Sequence, residues 1–491
     1  MITRFFPFIG WVKNYGFGDF RADAISGLTV ALVLIPQSMA YAQLAGLPSY
    51  YGLYASFLPP MVAALFGSSR QLATGPVAVV SLMTAASLEP LATAGSDGYI
   101  AYAILLALMV GLFQFSLGVL RLGVIVNFLS HPVVNGFTNA AAIIIATSQL
   151  SKIFGVYVDK APHHYETIIE VVKAAIHYTH WPTLFMGVLA FAIMYGLKWI
   201  APKIPNVLVA VAVTTVISVG IGFEHNAVVQ ISAIDSPKAE KLIGEFNLAA
   251  KAIPALDKAR AEVNKALFKA KSADDVFGVL QAEHEANVIL IKAGRMKDRA
   301  HKLREELRAL HFVGVPLAGG SLRFHLAGEY PDKTGDGRTW RIKVGNYPLQ
   351  TSQLLMMGGG AVVGVVPRGL PALSMPRLDF KVILHLLPFA AIISLLGFME
   401  AISIAKAMAA KTGQRLDPNQ ELIGQGLANI CGAVAKSYPV SGSFSRSAVN
   451  LQAGAISGLS SVITSLTVVI VLLFFTPLLY HLPQSVLAAI I

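Results

Sequence analysis

Cysteine is almost missing: Cys431 is the only one in 491 residues. A single thiol excludes an internal disulfide framework and any Cys-rich metal or iron–sulfur site. Charge is scarce as well. Asp, Glu, Lys and Arg together make up 13% of the chain, whereas a soluble domain carries about 25%. That deficit argues against a soluble enzyme. The charge that exists is concentrated: residues 225–345 hold 20 of the 38 Lys and Arg and 15 of the 27 Asp and Glu. The chain is therefore a very apolar body with one charged insert. Its net charge of +11 does not point to nucleic acid. In the body the basic residues fall in short loops between apolar runs, which is the pattern of membrane topology. No cleavable signal peptide is visible. The first long apolar run starts near Ala24 and has no small-residue cleavage site behind a short core.

Apolar runs of spanning or near-spanning length recur at 24–45, 53–66, 76–94, 99–120, 132–150, 183–200, 206–223, 381–405, 421–435, 443–456 and 458–480, and another starts at Gln484. A helix needs about 20 residues to cross a bilayer. Several runs are shorter or carry internal Gly and Pro. Interrupted helices are tolerated only where their backbone lines a cavity or packs on protein. Arg4, Lys13, Arg21, Arg70, Arg121, Lys198, Lys203, Lys406, Lys411 and Arg415 fall on one side of the alternating loops. The other short loops are poorer, with Lys152, Lys160, Lys173 and Lys436. The expected N-terminus is cytoplasmic, and the insert after the seventh span lies outside.

Within the insert, residues 237–311 read as helical, with Leu242, Phe246, Ile253 and Leu256 at spacings of three, four and seven. Ser272 followed by Asp275 resembles a capping box and suggests a second helix beginning there. Asp336-Gly337 before Thr339–Val344 reads as a turn and a short strand. The expectation is a solvated helical hairpin with a small β piece; partner binding is the alternative. At the other end, Gln484–Ile491 stops after two turns of an apolar helix. That leaves its last carbonyls unsatisfied, so the chain reads as a fragment or truncated product.

Three segments carry chemistry. In Leu34-Ile35-Pro36-Gln37-Ser38-Met39-Ala40-Tyr41 the proline removes a backbone bond and bends the helix. Gln37, Ser38 and Tyr41 then bring polar groups into the membrane, unless they simply bond the local backbone. In Gly67–Val79, Thr74 or Gly75 is the expected cap and Pro76 suits a first helical turn. In Ser441–Asn450, Ser441 or Ser443 is the expected cap. Both helices follow a polar extended stretch, and each reads as a half-helix starting in mid-membrane. Two such N-termini facing each other make an anion site, since free N–H groups and positive dipole ends converge. Arg446 adds a fixed charge one turn in. An Arg in hydrocarbon costs at least ~2.5–3.5 kcal/mol, so such residues usually face a cavity and mark a pathway; the bland alternative is an Arg bonding backbone carbonyls.

Glu400 is the only acid in residues 381–405. It is suited to taking a proton, holding Na⁺, or pairing with Lys406 or Arg446. His131 and His385 sit at the edges of apolar runs without a second ligand at metal spacing, so structural roles are expected and no metal site is. Gly358-Gly359-Gly360 precedes no Lys-Ser/Thr and is not a phosphate loop. No catalytic constellation stands out, which leaves no support for an enzyme.

These segments resemble the sulfate permease (SulP) family of anion transporters. The likeness lies in Pro36–Tyr41, Gly52-Leu53-Tyr54-Ala55-Ser56, Phe66–Arg70, Thr74–Val79 and Pro367-Arg368-Gly369-Leu370-Pro371. It is most specific in Asp417–Leu422 through Ala428-Asn429, and in Pro439–Ser447. The resemblance implies an all-α polytopic membrane protein with two inverted repeats of seven segments. A core domain moves against a gate domain, and the third and tenth segments are half-helices. Positions 1–224 correspond to the first repeat, 225–345 to the soluble insert and 346–491 to an incomplete second repeat. By the same resemblance the anion meets Gln37 and Tyr41, the amides around Val77 and Ala78, and Phe444, Ser445 and Arg446. Glu400 falls where the family carries an acid tied to H⁺ or Na⁺ coupling.

The chain departs from the family in its long insert, in lacking the last segments of the second repeat, and in lacking the STAS domain that normally follows. The combined expectation is an elevator-type secondary active transporter in a bacterial inner membrane, multi-pass and without cofactor. Its expected substrate is sulfate, with bicarbonate or a C4-dicarboxylate as alternatives, and a homodimer is its implied assembly. A passive anion channel or a transport-dead sensor is the reading from another class.

Overall fold

The computed structural model describes residues 7–11, 15–92, 94–123, 131–158, 163–201, 204–273, 275–317, 321–329, 335–345 and 347–491. Arg4, Lys13, Lys160 and Lys203, used above for orientation, lie outside the described residues, as does the side chain of His131. In chain order the helices are α1 (Phe17–Leu44), α2 (Tyr50–Phe66), α3 (Ala78–Leu88), α4 (Asp97–Val119), α5 (His131–Ser148), α6 (Leu150–Phe154), α7 (His164–Tyr178), α8 (Trp181–Ile200), α9 (Asn206–Gly220), α10 (Pro237–Ser272), α11 (Val276–Ala309), α12 (Phe380–Thr412), α13 (Pro418–Val434), α14 (Phe444–Gln452), α15 (Leu459–Ile470) and α16 (Gln484–Ile490). The strands are β1 (Ala73–Gly75), β2 (Asn226–Val229), β3 (Ile234–Asp235), β4 (Phe312–Pro316), β5 (Leu322–Leu326), β6 (Thr339–Ile342), β7 (Leu354–Met357) and β8 (Ser441–Ser443).

The chain divides into two units. One comprises Met1–Gly155, Thr179–Ile221 and Val362–Ile491; the other comprises Val156–Tyr178 and Gly222–Ala361. In the first, five helices among the described residues are long and apolar enough to cross a membrane: Phe17–Leu44, Asp97–Val119, Trp181–Ile200, Val382–Thr412 and Leu459–Leu479. The last extends α15 through a π turn and a 3₁₀ turn. α3 and α9 are apolar but shorter. Small residues let these helices approach closely, as membrane helices do. A Cβ on Gly52 of α2 would collide with the carbonyl oxygen of Ser38 on α1, and one on Gly426 of α13 would lie 2.5 Å from the amide of Phe115 on α4. Pro36 sits inside α1 without ending it, and the Ser38 hydroxyl donates to the Ile35 carbonyl at 2.9 Å. The local-bonding alternative thus holds for Ser38.

Sheet structure goes beyond the all-helical expectation. In the first unit β1 and β8 pair antiparallel, with Ala73 opposite Ser443, Thr74 opposite Gly442 and Gly75 opposite Ser441. In the second, six strands run in the order β2-β7-β6-β4-β5-β3. All their pairings are antiparallel except β3 with β5. The helical hairpin of α10 and α11 packs on this sheet through Ile243, Phe246, Leu303 and Leu307, against Phe312, Phe324, Trp340 and Met356. Asp275, not Ser272, caps α11, accepting from the Gly278 amide at 3.0 Å; Ser272 is the last residue of α10. The charged unit also takes in 156–178, outside the expected bounds of 225–345. α7 carries Glu166, Glu170 and Lys173 and buries Val171, so it has one apolar stripe rather than a lipid-compatible surface.

α7 ends against the sheet, where Arg341 donates to the Tyr178 carbonyl at 3.0 Å and His311 stacks on the Tyr178 ring with centroids 4.5 Å apart. His311 Nε2 is buried without a partner among the described residues. Burial first, and then the Arg341 charge, lower the His311 pKa from its ordinary 6.5. The neutral ring therefore stabilises this junction above about pH 6.5, and the contribution is lost as pH falls through the lowered folded-state value. Limited proteolysis within 156–178 should run severalfold faster at pH 5 than at pH 7, and His311→Phe should remove that difference. An unchanged pH response in the variant would show that another group controls it.

Candidate functional site

Two buried extended segments cannot leave their amides and carbonyls unpaired, and β1 and β8 satisfy each other. Each leads straight into a short helix. β8 passes directly into α14, with Ser443 at the N-cap position, one of the two expected caps. β1 passes through Pro76 into α3, whose N-cap is Val77 rather than Thr74 or Gly75. The two candidates are already used: both lie in the strand pair, and Thr74 Oγ1 accepts from Gln425 at 2.8 Å. Neither helix has a side-chain cap bond. Their first N–H groups, which no helical turn can satisfy, therefore remain as donors.

Arg446, in the first turn of α14, is fully buried. It donates to Gln37 Oε1 at 2.9 Å and to the Pro76 carbonyl at 2.7 Å. Its Nε has no partner among the described residues. Both acceptors are neutral, and among the described residues no carboxylate pairs with the guanidinium. One positive charge and two positive helix ends thus converge on the Pro76–Val77 junction. The arginine does bond a backbone carbonyl, as the bland alternative supposed, and that bond places its charge at the start of α3.

The structure brings most of the predicted residues to this point. Gln37 joins α1 to Arg446, and the half-buried Tyr41, one turn on, lies within electrostatic reach of Arg446 and Glu400. Val77 is buried and Ala78 partly so. Phe444 and Ser445 occupy the exposed side of the α14 start, with the two hydroxyls of Ser443 and Ser445 3.4 Å apart. Glu400 lies on α12, one turn beyond Gly397, whose carbonyl accepts from Ser441 Oγ at 2.7 Å. It forms no ion pair with Lys406 or Arg446 among the described residues. His385 is outside this group and lies beside Phe389, ring centroids 6.1 Å apart. The described residues contain no cluster suited to a metal.

Sequence reasoning missed the residues that hold the site. Glu421, Gln425 and Asn429 form one polar stripe at i, i+4 and i+8 on α13. Glu421 accepts from the Ser68 and Ser69 amides at 2.9 and 3.0 Å, and Gln425 donates to Thr74. Asn429 brackets Val440, donating to its carbonyl at 3.2 Å and accepting from its amide at 2.9 Å. The signal was three polar residues at helical spacing inside an apolar run. Tyr438 was missed too: it is buried, 3.3 Å from the Ser81 hydroxyl and within reach of the Arg446 charge. Asp23 ties the start of α1 to the turn after α14, accepting from the amides of Ile456 and Ser457 and the hydroxyls of Tyr15 and Ser457.

Gln37→Leu should leave the buried guanidinium with one acceptor fewer. Hydrogen bonds to charged groups contribute about 1.5–3 kcal/mol, so the thermal midpoint of the purified chain should fall. Gln37→Glu, which keeps an acceptor, should fall less. Equal midpoints for wild type and Gln37→Leu would show that this bond contributes nothing to stability.

Residues 20–315 and 347–491 match the sulfate permease family. The chain is 32% identical over 491 residues to the Arabidopsis thaliana protein named sulfate transporter 4.1, chloroplastic, covering 100% of this chain and 53% of that one. It is 26% identical over 494 residues to a Bos taurus sodium-independent sulfate anion transporter, covering 100% of this chain and 64% of that one. The chain spans about half the length of the plant relative. Among solved structures it is similar in fold to the transmembrane domain of a cyanobacterial bicarbonate transporter, BicA, with TM-score 0.63, 19% identity and coverage of 97% of this chain and 88% of that one. It is also similar to the inward-facing murine Solute Carrier 26 family member A9 anion transporter, with TM-score 0.66, 19% identity and coverage of 99% and 62%. The chain belongs to the sulfate permease family, and is a member of a family of membrane transporters rather than enzymes.

Proposed function

We propose that the chain moves an inorganic oxyanion, sulfate in first place, across a membrane by secondary active transport. The observation that carries this reading is a buried guanidinium held, among the described residues, by neutral acceptors alone, beside two uncapped helix starts. An anion seated there neutralises an otherwise uncompensated charge and takes up free N–H donors. Arg446, the amides around Val77 and Ala78, and Ser445 are its ligands in this reading. Gln37 and Tyr41 line it from α1, and Phe444 borders it on the exposed side. The names of the relatives favour sulfate.

In the same proposal α3 and α14 are the half-helices of two inverted repeats, residues 1–224 and 346–491. Gln37, Tyr41, α3, α12 and α14 move as one core against a gate, carrying the anion in an elevator step. The N-terminus is cytoplasmic. Glu400, near Arg446 and Tyr41 but outside ion-pair distance, takes up H⁺ or Na⁺ when the anion binds. The coupling ion is thereby read out in the energy of the same positive site.

The test is uptake of labelled sulfate into proteoliposomes under an inward proton or sodium gradient. Uptake should saturate, resist excess bicarbonate and succinate, and fall at least tenfold in Arg446→Ala. Entry of labelled bicarbonate or succinate in place of sulfate would move the substrate assignment. Non-saturating flux that follows voltage alone would make the protein a channel. Glu400→Gln should keep sulfate exchange but lose gradient-driven accumulation, and full accumulation in that variant would remove the coupling role.

A further inference from the structure

Where α2 and α12 end, the membrane-spanning unit holds a cavity of about 450 Å³. It is lined by Pro7 and Trp11 of a short 3₁₀ turn, by Arg70 and Gln71 after α2, and by Gln414 and Arg415 after α12. The anion site described above uses none of these residues. The two arginine-bearing segments are fixed side by side. The Arg70 amide donates to Gln414 Oε1 at 3.2 Å, and Gln414 Nε2 donates to the Ser68 carbonyl. Ser68 and Ser69 are held in turn by the buried carboxylate of Glu421.

The backbone beneath both guanidiniums is thus set, while Arg70 and Arg415 themselves are exposed. Neither guanidinium has an ion pair or hydrogen bond among the described residues, and no Asp or Glu is among the described residues lining the cavity. Two like charges on one cavity wall repel unless an anion lies between them. A phosphate suits this arrangement best, because each guanidinium fork can donate two parallel hydrogen bonds to it. The volume falls within the roughly 300–1,000 Å³ of sites for organic ligands, well beyond a bare tetrahedral anion. Trp11, which lines the cavity with the arginines, makes an edge-to-face pair with Phe8, centroids 6.4 Å apart. Aromatic side chains of this kind settle at the headgroup level of a bilayer.

We propose that this cavity binds a phosphate group carried on a larger molecule, gripped by Arg70 and Arg415, with an anionic phospholipid headgroup as its first source and a soluble phosphate ester as its second. Arg70 lies three residues before β1, so a bound phosphate also holds the approach to the β1–β8 pair.

The test uses the purified chain in detergent and needs no transport. Its thermal midpoint is titrated with short-chain phosphatidic acid and, separately, with glycerol 3-phosphate at matched ionic strength. At least one probe should raise the midpoint saturably. Arg70→Gln and Arg415→Gln should each shift half-saturation at least tenfold, Arg70→Lys and Arg415→Lys less, and the exposed Arg368→Gln not at all. A response to phosphatidic acid alone assigns the lipid source, and a response to both assigns the soluble ester. Midpoints of the unliganded variants, together with the lysine pair, separate lost binding from lost folding. No saturable shift with either probe, or shifts unchanged in both glutamine variants, overturns the proposal.

Discussion

A backbone that leaves its helix inside a protein's interior has to be paired, and everything around the candidate site follows from how this chain does it. β1 and β8 are three residues each and fully buried. Each supplies the other's hydrogen-bond partners, at a depth where an unpaired group costs several kcal/mol. The pairing forces the two helices that follow to start close together. Once their starts are close, their dipoles add, and a positive field exists there before any side chain is considered. Arg446 strengthens a field that the backbone has already created.

Such a field is costly when empty, so the surrounding contacts have to hold it in place. α13 acts as the frame. Its stripe of Glu421, Gln425 and Asn429 reaches the loop before β1, β1 itself and the residue before β8. On the far side, Ser26 of α1 donates to the carbonyl and side chain of Asn450, and Asn450 donates to the Gln71 carbonyl at 3.1 Å. The site is therefore anchored from two helices distant in sequence. None of these anchors places a formal negative charge against Arg446, which keeps the positive potential available to a ligand.

Much of the helical plan was legible because hydropathy and length decide it. The runs at 132–150, 183–200 and 206–223 became His131–Ser148, Trp181–Ile200 and Asn206–Gly220. α1 begins at Phe17 rather than near Ala24, since Asp19, Arg21 and Asp23 hid its first turns from an apolar count; Asp23 is in fact buried and fully bonded. The convergence on Arg446 was legible from two polar stretches each ending in a helix start. The strand register was not, because three residues carry no periodicity. For the same reason Thr74 looked like a cap: its hydroxyl is committed to a partner more than three hundred residues away. α7 was missed because Glu166, Glu170 and Lys173 break up its apolar residues, so no run of spanning length marks it.

The strand pair also sets how the gene can vary. A one-residue slip along a strand turns every side chain to the opposite face. Between Ser68 and Ala78, and between Val440 and Arg446, the chain is bonded at both ends of a very short path. Single-residue insertions or deletions there have no slack to absorb them, so these stretches must keep their length even where individual residues change.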